Sequence, residues 1–176
     1  LNLKENIGSH EGGVIYFKQD GGSTMNNTIL FENVGSGFMT FLGSSPSLSN
    51  IKIIQNHGAA IRNNAAGAYS CNKIDFIRIN GAPVNGSASL INCNFISSSN
   101  SFTTSSVNYS NFIENGTAII NGDITSFMDA INNYWGHSSG PYHPSQNTTG
   151  QGDSTNQWVN VDPWLTTPNT DAPPIP

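Results

Sequence analysis

A short motif of alternating apolar and polar positions recurs along the chain. It reads Thr28-Ile29-Leu30-Phe31-Glu32-Asn33, then Ile51-Lys52-Ile53-Ile54-Gln55-Asn56, then Ile74-Asp75-Phe76-Ile77-Arg78-Ile79. Further copies are Cys93-Asn94-Phe95-Ile96-Ser97-Ser98, Ser110-Asn111-Phe112-Ile113-Glu114-Asn115 and Met128-Asp129-Ala130-Ile131-Asn132-Asn133, with Leu1-Asn2-Leu3-Lys4-Glu5-Asn6 as an earlier one. Aligned on their third residues (Leu3, Leu30, Ile53, Phe76, Phe95, Phe112 and Ala130), the copies recur every 17 to 27 residues. Positions one and three lie two apart, so on a strand they share a face and predict a pair of inward columns. Position two holds Ile29, Lys52, Asp75, Asn94, Asn111 and Asp129; it is mostly polar and is expected to face water. Position four (Phe31, Ile54, Ile77, Ile96, Ile113, Ile131) is apolar throughout and breaks the alternation. The preferred reading is a bend that turns positions three and four inward together; the other is an exposed apolar stripe.

Position six often carries Asn, with Gly soon after, as in Asn33-Val34-Gly35, Asn56-His57-Gly58 and Asn115-Gly116. Both residues accept a left-handed backbone at low cost. This predicts a tight corner after each strand and a second short strand beyond it, such as Phe38-Met39-Thr40-Phe41-Leu42, Ala60-Ile61 or Ala118-Ile119-Ile120. Short strands with corners at one phase describe stacked coils, whose matching strands pair in parallel at ~4.8 Å. Seven such coils would form a rod about 30 Å long. A β-sandwich would need alternating hairpins instead.

Composition supports an all-β chain. Only 10% of residues are charged, against a usual share of about 25%. Asn, Ser, Thr and Gly supply the polarity, and all are poor helix formers. Net charge is −5 with six Lys plus Arg, so no basic patch exists to neutralise phosphates and nucleic acid is not an expected partner. No apolar run approaches the ~20 residues of a membrane helix, and no membrane insertion is expected. Cys71 and Cys93 fall on neighbouring copies but three positions apart in phase, about 10 Å along a strand. A bridge needs Cα atoms within about 7 Å, so two buried, reduced thiols are expected.

Near the C-terminus the pattern changes to Asn133-Tyr134-Trp135-Gly136, Ser139-Gly140-Pro141-Tyr142-His143-Pro144 and then Asp162-Pro163-Trp164-Leu165. The last coil of a stack exposes its core and unpaired backbone, and these aromatics and prolines are suited to cover it. The repeats over about residues 1–135 resemble the right-handed parallel β-helix superfamily, the pectate-lyase-like fold. The later motifs look like the terminal element of its secreted members. The resemblance implies coils over 1–135, a capping loop over 136–165, and an extracellular, secreted or cell-surface, microbial setting. It implies no single activity, because the fold hosts lyases, hydrolases, adhesins and stalks. The Pro/Thr-rich stretch over 166–176 reads from its composition as a linker or tail, with neighbouring domains in a larger chain. The first copy begins at Leu1 without a lid, which suggests self-association through an uncapped N-terminal coil.

Candidate chemistry is sparse. A polysaccharide lyase or glycoside hydrolase on an outer face would need carboxylates and a base. Asp75, Asp123 and Asp129, with Lys52 and Arg78, are the candidates. Asp75 and Asp129 are expected three coils apart, about 14 Å by the stacking distance, too far for a catalytic pair. Ca²⁺ needs six to eight oxygen ligands, and no column collects them, so no cofactor is assigned. His137, His143 and Asp153 could ligate a metal, although their spacing is not a ligand motif. Tyr142, Trp158 and Trp164 could stack on sugar rings. The leading expectation is a non-catalytic rigid segment that spaces or presents a binding surface. The alternatives are the lyase or hydrolase, and a carbohydrate-binding module built on the capping aromatics, with a polysaccharide or glycan as partner.

Overall fold

The computed structural model describes residues 2–5, 15–18, 24–34, 39–42, 46–63, 68–98, 101–102 and 105–176. Leu1, Asn6, Gly35 and Phe38 of the motifs above lie outside them. The regular elements among the described residues are all β-strands, and every strand pairing is parallel. The main sheet runs Asn2–Lys4, Thr24–Phe31, Ser47–Ile54, Tyr69–Ile77, Asn94–Ile96 and Asn111–Ile113. Ala88–Ile91 and Ser105–Asn108 extend it beside Tyr69–Ile77. A second sheet runs Ile15–Lys18, Met39–Leu42, Ile61–Asn63 and Val84–Asn85. In the first eight strands the chain alternates between these two sheets. Parallel neighbours cannot be joined by a hairpin, and here each return is made through the other sheet.

The register follows the motif. Leu3 pairs with Leu30, Leu30 with Ile53, Ile53 with Phe76, Phe76 with Phe95 and Phe95 with Phe112. Position one (Thr28, Ile51, Ile74, Cys93, Ser110) and position three are buried together. The rings of Phe76, Phe95 and Phe112 stack at 4.9 and 4.8 Å, the spacing that parallel strands impose. Trp135 continues the column, 4.6 Å above Phe112 and fully buried.

That last contact corrects the sixth copy. Tyr134 bridges Asn111, so Asn133-Tyr134-Trp135 occupies the columns expected for Met128-Asp129-Ala130. A second inward column exists earlier in each repeat, through Met25, Leu48, Cys71, Leu90 and Val107. Ala130 precedes Trp135 by as many residues as Val107 precedes Phe112. The two columns share one period, and the apolar pattern alone does not separate them.

Position four also differs from the preferred reading. Phe31, Ile54, Ile77, Ile96 and Ile113 are half-buried. Alternation continues through position four, so these side chains point outward and shield one another as an apolar stripe. The turn comes one residue later. Glu32, Gln55, Arg78, Ser97 and Glu114 have φ between 47 and 57°. A second left-handed column precedes position one: Asn27, Asn50, Lys73, Asn92, Tyr109 and Asn132, with φ of 50 to 58°.

The position-six asparagines therefore do not supply the left-handed residue. They supply an amide. Asn56 Oδ1 accepts from the Asn33 N–H at 2.7 Å, and its Nδ2 donates to Leu30 O at 3.2 Å. Asn115 does the same for the Ser98 N–H and Phe95 O, each at 2.9 Å. A left-handed residue costs about 1–2 kcal/mol, and buried backbone groups at such a corner must find partners. The amides are those partners.

The C-terminal region continues the pairing beyond Asn111–Ile113. Tyr134 N–H donates to Ser110 O at 2.9 Å, Tyr134 O accepts from Phe112 N–H at 2.8 Å, and Leu165 N–H donates to Asn133 O at 2.9 Å. Trp164 packs on the core from outside. A Cβ on Gly140 would meet the Trp164 indole at 2.5 Å, so the indole is seated against bare backbone. Cys71 pairs with Leu90 rather than Cys93, and both thiols are free and buried.

Candidate functional site

The outer column at position two was expected to be solvated. Instead, Asp75, Asn94 and Asn111 are fully buried. Their register makes them consecutive neighbours on the sheet, so short side chains in line can hydrogen-bond from strand to strand. Asn111 Nδ2 donates to Asn94 Oδ1 at 2.8 Å, and Asn94 Nδ2 donates to Asp75 Oδ1 at 2.7 Å. Asp75 Oδ2 ends the run 3.0 Å from the Lys52 ammonium. The ladder is directional: amides donate toward one carboxylate, and a half-exposed lysine balances its charge.

What buries it is a later segment of the same chain. Residues 166–176 were read as a linker or tail, and residues 169–173 lie on the ladder. Asn169 N–H donates to Asn111 Oδ1 at 2.7 Å, and Asn111 Nδ2 donates back to Asn169 O at 3.1 Å. Asn169 Nδ2 donates to Asn92 Oδ1 at 3.0 Å and to Tyr109 O. Four residues on, Pro173 O accepts from Asn94 Nδ2 at 2.8 Å. Ala172 between them is buried. Every hydrogen of the Asn94 and Asn111 amides thus has an acceptor, half of them on the C-terminal segment.

Alongside this segment, on the Lys52 side, the groove stays open. A cavity of about 410 Å³ lies between the segment and the sheet, bordered by Asn50, Lys52, Lys73 and Asp75 on one side and Thr170 to Pro174 on the other. That volume is within the usual range of ligand pockets, about 300–1,000 Å³.

The remaining acidic candidates are spread out, each with its own local work. Asp129 accepts from Asn108 Nδ2 at 3.2 Å and lies outside the Asp75 column, in register with Asn160. Asp123 holds its own turn, taking Thr125 N–H, Thr125 Oγ1 and Ser126 Oγ at 2.6 to 2.8 Å. Those donors, Ser126 first, bring its carboxyl down to about 2. Arg78 sits exposed at a left-handed corner, and Lys52 rather than Arg78 pairs with Asp75.

The residues considered for a metal are also separately engaged. Asp153 takes the N–H groups of Asn115 and Gly116 and the Asn115 amide at 2.8 to 3.1 Å. His137 Nδ1 contacts Ser139. His143 is buried, with Nε2 2.9 Å from Val159 O, while Nδ1 accepts from Ser145 and Gln146 N–H at 3.2 and 2.9 Å. That arrangement requires a neutral ring with its proton on Nε2. Burial holds its pKa below the ordinary histidine value. No group of three His, Cys, Asp or Glu converges among the described residues.

The aromatic candidates divide. Trp164 is half-buried and packs against the core. Tyr142 is exposed, and Trp158 is half-buried beside Phe127, ring centres 5.8 Å apart and tilted by 53°. Phe127 itself is 62% exposed; it stands outside the repeats and was not singled out from sequence. Asn94 and Asn111 were also missed as site residues. Their signal was present: amides at the same position of consecutive parallel strands can form a ladder wherever something covers them. Comparison with known family models, with curated proteins and with solved structures found no match for this chain.

Proposed function

We propose that this chain is a right-handed parallel β-helix acting as a non-catalytic, rigid segment of a larger secreted or cell-surface protein. The helical winding is supported by the alternation of successive strands between two parallel sheets in constant register. Right-handedness is the sense taken by nearly all parallel crossovers. The extracellular setting is supported by the low charge and the Asn/Ser/Thr-rich composition.

The observation that carries the non-catalytic reading is the commitment of the carboxylates. Asp75 terminates the amide ladder, Asp123 holds a turn, Asp129 binds Asn108 and Asp153 caps the Asn115 corner. Glycoside hydrolysis needs two carboxyls facing one substrate with their pKa values pushed apart, and a lyase needs a base free to face its substrate, whereas Lys52 is paired with Asp75. The four carboxylates belong to four separate structural contacts. The test is a panel of uronate-containing and neutral polysaccharides, with and without Ca²⁺, followed for unsaturated products and new reducing ends. No turnover is expected. Turnover abolished by Asp75→Asn or Asp129→Asn would replace this reading with the enzyme.

One observation favours a second reading, carbohydrate binding. Phe127 and Trp158 present an open aromatic corner, with Ile124 exposed three residues before Phe127. Exposed apolar groups on an ordered turn mark interaction surfaces. Glycan-array binding lost in Trp158→Ala, with no turnover, would support it.

A further inference from the structure

The amide ladder of the outer face treats the C-terminal segment as a ligand. Asn111 presents both its donor and its acceptor to the main chain of Asn169, the two-bond pairing that one peptide group makes with another. Asn94 repeats half of it at Pro173. Between these points the only side chain buried is that of Ala172, while Thr170 and Asp171 face outward. Asn169 is held by side chain as well as backbone, through Asn92 and Tyr109. The groove therefore reads backbone at two places, an amide at the first and a small residue three positions later.

The connection to this segment runs through solvent. Thr166, Thr167 and Pro168 are exposed. A segment docked by its own contacts and joined through an exposed connector can be exchanged between identical chains, because every contact is preserved in the exchange. Only the effective concentration set by the connector favours the intramolecular form.

We propose that the Asn94–Asn111 ladder is a peptide-docking groove whose partner is the C-terminal segment of a second copy of this chain, so that neighbouring copies link groove to tail. The Asn-Thr-Asp-Ala-Pro sequence at residues 169–173 is the recognised element. Dense arrays of copies, where the intermolecular concentration rivals the intramolecular one, are where exchange occurs. This goes beyond the scaffold reading and stands if that reading fails.

Two full-length variants test it. Asn169→Asp with Ala172→Glu spoils the tail: the carboxylate faces Asn92 Oδ1 and Tyr109 O, and glutamate has no room at the buried alanine. Its groove is left empty. Asn111→Leu spoils the groove and leaves a natural tail. Limited proteolysis should show residues 166–176 cleaved in both variants and protected in the parent. Light scattering should find each variant monomeric alone and a one-to-one complex on mixing. A labelled peptide of residues 166–176 should raise fluorescence anisotropy with the tail-spoiled variant, and an Asn-to-Asp peptide should bind at least about tenfold more weakly. The peptide arm needs no folded Asn111 variant. Protection of the spoiled tail, assembly of either variant alone, or absence of peptide binding at millimolar concentration would each overturn the proposal.

Discussion

Replacing Trp135 probes the closure of the stack. The side chain is fully buried, lies flat on Phe112 at 4.6 Å with an 11° tilt, and its own carbonyl accepts from Asp153 N–H at 2.7 Å. Truncation to alanine removes the transfer energy of the indole and leaves a cavity above Phe112, at a cost of about 3–5 kcal/mol. For a chain of this size each kcal/mol moves the melting temperature by about 2–4 °C, so Trp135→Ala should melt roughly 6–20 °C lower. The indole Nε1 is buried without a hydrogen-bond acceptor. Trp135→Phe keeps the stack and removes that unpaired donor, so its cost should stay below about 1.5 kcal/mol. Trp135→Ala should also expose the Phe112 ring and self-associate, which gel filtration would register. Calorimetry on the two variants decides the matter. Equal losses for Phe and Ala, or an unchanged midpoint for Ala, would refute the view that the stacked ring closes the core.

The cysteines should be inert: burial raises the Cys93 thiol to about 12 and Cys71 well above its usual value. A thiol reagent at neutral pH should label neither in the native protein and both in denaturant; fast native labelling would contradict the packing. His143 is kept neutral in the fold, so its folded pKa lies below the unfolded value of ~6.5. The unfolded chain then binds the proton first as pH falls below ~6.5, and stability present above that pH is lost at up to about 1.4 kcal/mol per pH unit. His143→Gln should remove this acid slope from melting curves recorded between pH 8 and 5. Lys52→Met should destabilise by about 2–4 kcal/mol by leaving Asp75 buried without its counter-charge, at the low side because Lys52 is half-exposed. Adding Asp75→Asn should restore most of the loss, and a strictly additive double variant would argue that the pair is not coupled.

Much of the fold was legible because the period is carried by residues that must be buried. Phe76, Phe95 and Phe112 could be aligned from sequence, since an aromatic ring in a parallel stack needs its neighbour at the same phase. The last copy was not legible in the same way. Ala130 and Trp135 both fit an inward column, and only the backbone bridge from Asn111 to Tyr134 separates them. The corners were misplaced by one residue because Asn serves two physical purposes, and sequence does not say which is in use. At Asn27 and Asn50 the backbone is left-handed, while at Asn56 and Asn115 the side chain binds the neighbouring strand. The site was the least legible part. Asn94 and Asn111 read as solvent-facing because nothing near them in sequence covers them. Asn169 and Pro173, which do, lie 58 and 79 residues away.

The low charge of the chain and its abundance of amides are one design seen at three depths. At position six, Asn56 and Asn115 satisfy backbone groups of the preceding repeat. At position one of the last repeat, Asn133 does so for Val107 O, Ala130 O and Ser110 N–H. At position two, Asn111 and Asn94 use the same chemistry toward the C-terminal segment. The first two sets face backbone that is covalently fixed and buried, so removing an amide there strands a donor or acceptor at about 1–3 kcal/mol each. The third set faces a segment that water can replace once it lifts. Losing an amide there weakens docking and leaves the core intact. Charged side chains could not serve at all three depths, because inside the stack each would need a counter-charge as Asp75 needs Lys52. A neutral group with both a donor and an acceptor can complete a corner, a cap or a groove with the same geometry. That is why the face that holds the tail is built from the same residue as the corners that hold the fold.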